Sequence, residues 1–71
     1  MTKKAIEKLS DKARAYCEEK QKIIRVQNAN GNREIRNEYA KKLRGYLECL
    51  EDVGKITHKE MQTLYLFYAT M

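Results

Sequence analysis

Seventy-one residues limit the chain to one domain, and a core that small rarely supplies more than about 3–5 kcal/mol of net stability unless something staples it. Two cysteines are too few for a disulfide framework, and no run of about 18 apolar residues is present to cross a bilayer. The net charge of +5 is uneven: residues 1–27 carry eight basic and four acidic side chains, residues 28–53 five of each, and residues 54–71 two and one. Lys3 and Lys4 at the amino end are followed by no apolar signal core. These features point to a soluble, cytoplasmic protein with free thiols, for which association with another chain is the available staple.

The first segment spans about residues 2–27. Ile6, Leu9, Ala13, Tyr16, Lys20, Ile23 and Gln27 recur at alternating steps of three and four, the period of a helix, and Cys17 and Ile24 widen the stripe. Ser10-Asp11 has the chemistry to start a fresh helix, but the stripe passes through it in phase, and one continuous helix is the expectation. Asn28-Ala29-Asn30-Gly31-Asn32 then interrupts the period, and a loop this short makes the flanking helices antiparallel neighbours.

The second segment spans about residues 32–53, with Ile35, Tyr39, Leu43, Tyr46, Leu50 and Val53 on its stripe and Leu47 broadening it. Gly45 falls on the opposite face, where it costs about 1 kcal/mol relative to alanine. Glu48, Glu51 and Asp52 crowd the carboxyl end, where the helix dipole disfavours acids. Antiparallel pairing sets that end beside Lys3, Lys4 and Lys8, which are expected to neutralise it.

A stop and a start follow at once, over residues 54–57. Gly54 tolerates the left-handed conformation of a helix end. Thr57 and Glu60 form a capping box, and Ile56 with Met61 has the spacing of a hydrophobic staple. The stretch Gly54-Lys55-Ile56-Thr57-His58-Lys59-Glu60, within Leu47 to Glu60, resembles the short capped hairpin of SHOCT-type domains, and no function is carried over from that local likeness. The third helix is expected over about residues 58–70, because the cap overrides a strand reading of Leu64 to Tyr68. Met61, Leu64, Tyr65, Tyr68 and Met71 form its stripe, but Leu66 and Phe67 lie off it. A helix apolar on more than one face needs more than one cover.

Candidate chemistry is sparse. In the antiparallel hairpin Cys17 lies level with Lys42 and Cys49 with Ser10, about 10 Å apart along the axis at the helical rise, which exceeds the roughly 7 Å Cα limit of a disulfide. Both are read as free thiols at the edges of their stripes. His58 is the only histidine and has no closely spaced ligand partner, so no metal or cofactor is expected. No nucleophile–base motif or phosphate loop is present, and the chain reads as a non-enzyme with no small-molecule substrate. The tyrosines fall on the stripes and read as core residues with hydroxyls at the rim. Lys20, level with Tyr39, is expected to lay its stem over that ring and reach a carboxylate such as Glu38.

The expectation is an all-α fold: a small three-helix bundle made of an antiparallel hairpin and a short apolar C-terminal helix. Its function is expected to be protein–protein interaction, with itself or with another protein, anchored by Tyr65, Leu66, Phe67 and Tyr68. Accessory or inhibitory roles of phage or mobile-element proteins suit such a module. The alternative is a small nucleic-acid-binding regulator using the basic pole of Lys20, Lys22, Arg25, Arg33 and Arg36 around the first loop.

Overall fold

The computed structural model describes residues 2–70, and these form an all-α bundle of four helices: α1 (Thr2–Glu7), α2 (Asp11–Ala29), α3 (Arg33–Asp52) and α4 (His58–Thr70). Helices α2 and α3 pair as the expected antiparallel hairpin, α4 packs across both, and α1 packs against α4. Met71, assigned to the α4 stripe by its spacing, lies outside the described residues.

The continuous first helix is corrected to two. Ser10 takes an extended conformation (φ −65°, ψ 163°), and its hydroxyl accepts a hydrogen bond from the Ala13 amide at 3.1 Å. This satisfies one of the donors that every helix start leaves orphaned. Just before it, the Lys8 and Leu9 amides reach back only three residues, to Ala5 and Ile6, the tightened last turn of α1. The apolar stripe runs in phase through the break, so periodicity alone could not reveal it. With the break, Ala5 and Leu9 join the buried core on the side of α4.

Both glycine turns are built alike. At Gly31 (φ +73°) the Asn32 amide bonds the Gln27 carbonyl and the Gly31 amide bonds that of Asn28. At Gly54 (φ +78°) the Lys55 amide bonds Leu50 and the Gly54 amide bonds Glu51. Each is a complete Schellman motif, which puts glycine at the one left-handed residue. The α4 start is the reciprocal capping box read from the sequence: the Glu60 amide donates to Thr57 Oγ1 at 3.1 Å, and the Thr57 amide donates to Glu60 Oε1 at 2.8 Å. Ile56 and Met61 are both buried beneath it.

Leu43, Leu47 and Leu64, with Met61 and Cys17, are the largest fully enclosed side chains. The placing of Cys17 at the edge of its stripe is thereby corrected: α4 covers the flank that a bare hairpin would leave open. Burial, reinforced by nearby Glu18, pushes its thiol up to about 11, whereas Cys49 is exposed, and both are free. A thiol-alkylating reagent near pH 8 is expected to label Cys49 alone in the native protein and both cysteines in denaturant, as mass spectrometry would count.

The lysines meant to neutralise the end of α3 do not do so. Lys8 bonds Glu60, with Nζ at 3.0 and 2.8 Å from its two oxygens; Glu51 pairs with His58 Nδ1 at 3.1 Å, and Glu48 lies 3.9 Å from Arg44. The break at Ser10 sends α1 onto α4, and Lys8, which still shares a crevice with Leu50 of α3, pairs with Glu60 instead of the α3 acids. The hairpin survives the failure of this corollary because the α2–α3 contact itself is present.

Glu60 is held below its ordinary carboxylate range, first by the Lys8 hydrogen bond and then by the Thr57 amide. A depressed folded value stabilises the fold above the ordinary range and loses that stabilisation as pH falls through the lowered value. Denaturant midpoints of wild type and Lys8→Ala are therefore expected to differ at neutral pH and to converge only as pH falls through the lowered Glu60 value. A gap that persists in acid would show that Lys8 acts by packing.

Candidate functional site

Three surfaces carry the side chains singled out by the sequence. The first is the outer side of α4. Its four expected anchors do not share one fate. Tyr68 is 3% exposed and belongs to the core, which removes it from any docking surface. Phe67 is half-buried and meets Tyr68 edge to face, centroids 5.0 Å apart at 80°. Tyr65 is half-buried, with the Arg44 guanidinium 5.4 Å from its ring centroid. Leu66 alone stands out, 58% exposed. Beside it lies a groove of about 350 Å³ lined by Arg44, Met61, Gln62, Tyr65 and Leu66.

The excess grease of α4 therefore has two covers within the chain. The hairpin takes Leu64 and Tyr68, and α1 lies along the first turns, where Lys4 and Ala5 share a crevice with Lys59, Glu60 and Thr63. Arg44 and the α3 wall of the groove were not singled out from the sequence. Arg44 sits off the apolar stripe, and only the crossing of α4 brings it over Tyr65.

The second surface is the basic pole. Lys20 does not belong to it as a free cation. Its side chain is 14% exposed, with Nζ 4.8 Å from the Tyr16 ring centroid, 5.6 Å from that of Tyr39 and 3.3 Å from Glu19 Oε1. It is the ammonium that lies near the Tyr39 ring, and closer still to that of Tyr16, and its carboxylate is that of Glu19 on the same helix rather than Glu38. Lys22, Arg25 and Arg33 are exposed; Arg36 is half-buried and donates through Nη2 to Asn37 Oδ1 at 3.2 Å. Arg25, Arg36 and Asn28 line a cavity of about 170 Å³ with Ala69 and Thr70 of α4. The carboxyl end of α4, the negative end of its dipole, thus lies at this pole, and the two arginines offset it within the fold.

The third surface is the seam of the hairpin on the side away from α4. Tyr16 and Tyr46 stack there with centroids 4.1 Å apart, and Lys42 Nζ lies 4.7 Å from the Tyr39 ring centroid. Val26 and Ile35 remain exposed along the same side. Val26 is off the stripe read from the sequence, so periodicity gave no reason to select it.

Among the described residues no group of three or more His, Cys, Asp and Glu side chains is gathered for a metal ion, and no helix is long and apolar enough to cross a membrane. His58 is exposed and paired with Glu51, and Ser10 serves as a helix cap. No protein-family model matches the chain, and neither does any curated protein or any solved structure.

Proposed function

We propose that the protein is a non-enzymatic helical interaction module that docks on another protein through the outer side of α4. The observation that carries the reading is Leu66, an exposed leucine beside a groove formed where α4 crosses α3. Arg44 is the only charged side chain lining that groove among the described residues, and the chain as a whole carries +5. An apolar segment with acidic residues at its edge complements it, whereas a second copy presenting the same cationic rim does not. An accessory or inhibitory protein working in the cytoplasm, where thiols such as Cys49 stay reduced, fits this reading.

The test compares the proteins retained by wild type, Leu66→Glu and Val26→Glu, all checked for native helicity. A partner retained by wild type and Val26→Glu but lost by Leu66→Glu supports the α4 face. Retention unaffected by Leu66→Glu overturns it. The nucleic-acid reading rests on Lys22, Arg33 and the arginines of the pole, two of which already face the α4 terminus. It predicts retention of duplex or single strands that weakens steeply with salt; no retention at low salt disposes of it.

A further inference from the structure

We infer that the hairpin face opposite α4 is a homodimer interface in which two copies pack about a two-fold axis running along the hairpin. This goes beyond the docking role of α4 and uses a different surface.

The face is located by helical phase. Helix α4 covers the flank of α2 that bears Cys17, Ile24 and Asn28, and the flank of α3 that bears Arg44. Val26 lies nine residues from Cys17, and Ile35 nine from Arg44; nine residues is about two and a half turns, so both point away from α4. Glu19 and Lys42 are two residues from Cys17 and Arg44, about 200° round their helices, and face the same way. The exposures agree: Val26 is 55% and Ile35 36% exposed, and Glu19 and Lys42 are both exposed.

The register follows from two contacts. Tyr16 stacks on Tyr46, and Lys20 lies over Tyr39, so residues at one level of the hairpin have numbers that sum to about 60. Val26 and Ile35 therefore share one level, and Glu19 and Lys42 another. A two-fold axis along the hairpin lays α2 of one copy over α3 of the other at the same level. Each side-by-side pair then becomes a pair across the interface, made twice: Val26 with Ile35 of the second copy, and Glu19 with Lys42 of the second copy. Such an isologous surface is complementary to itself.

Composition favours the same occupant. Acidic Glu19 and Glu38 lie among basic Lys12, Lys22 and Lys42, so both signs are present on the face, and Lys22 and Glu38 also share a level and form a further pair of opposite charges across the interface. Half-buried tyrosines run down its centre, the residue type enriched at protein interfaces. The molecule measures 35 × 20 × 20 Å, so a face bounded by 35 by 20 Å can offer at most about 700 Å² per chain, a little short of the roughly 800 Å² per partner of a standard stable interface. The dimer leaves both α4 surfaces outward, one on each side.

The experiment is sedimentation equilibrium on the full chain over a wide concentration range, with circular dichroism to confirm each fold. Wild type is expected to have dimer mass. Glu19→Lys and Lys42→Glu each place like charges at both cross-interface contacts and are expected to be monomeric. An equimolar mixture of the two restores opposite charges at both contacts and is expected to recover the dimer mass. Leu66→Glu is expected to remain dimeric. A wild type that is monomeric throughout, single variants that stay dimeric, a mixture that stays monomeric, or a dimer that dissociates on Leu66→Glu would each overturn the interface.

Discussion

Leu64→Ala is expected to unfold the protein or leave it without a cooperative transition. Leu64 is fully enclosed in α4, in a core that also contains Leu43 and Leu47. Removing a buried leucine side chain costs about 2–5 kcal/mol, because the lost transfer energy is joined by that of the cavity left behind. A chain of this size with no disulfide has only about 3–5 kcal/mol in total. The substitution therefore removes most or all of the margin. Denaturant titration followed by circular dichroism checks it: a steep wild-type transition against a shallow or absent one. An unchanged midpoint would mean that α4 contributes little to the core, and the account of the fold would fail with it. Among the described residues, α4 is the helix that packs on both α2 and α3, which bear Cys17, Ile24, Leu43 and Leu47.

The second large effect separates two neighbours on one helix. Tyr68→Ala is expected to cost about 3–5 kcal/mol, the range for truncating a buried large aromatic. Leu66→Glu is expected to change stability by no more than about 0.5 kcal/mol, as exposed helix positions do. The ring of Tyr68 is buried in the core and met edge-on by Phe67, whereas Leu66 is exposed to solvent. Thermal or denaturant midpoints of the two variants decide the matter. A large loss on Leu66→Glu would place that residue in a packed environment and leave no free leucine for docking. A small loss on Tyr68→Ala would return the tyrosine to the surface.

Together the two surfaces describe a chain that spends its apolar residues in three directions. The inward set builds the core. Leu66 with its groove and the Val26–Ile35 edge remain outside it, on opposite sides of the bundle. With the proposed dimer face and the proposed docking face on separate surfaces, substitutions on one need not disturb the other. Additivity between distant, unshared sites is the general expectation behind that separation.

What the chain determines by itself is everything carried within a window of four to six residues. The Thr57–Glu60 box, the glycines at 31 and 54 with their left-handed backbone, and the helical period of α3 are local chemistry, and each stands where spacing puts it. The same window held the Ser10 cap, but a stripe in phase on both sides of a break cannot reveal the break. The remaining features depend on how helices cross. The fold of α1 onto α4 decides that Lys8 pairs with Glu60 and not with the acids at the end of α3. The crossing of α4 decides that Tyr68 is buried while Leu66 is not, that Arg44 lines a groove, and that Arg25 and Arg36 face a helix terminus rather than open solvent alone. Periodicity states which residues of a helix want cover. Only the packed bundle, by placing a second and third helix against the first, determines which of them receive it.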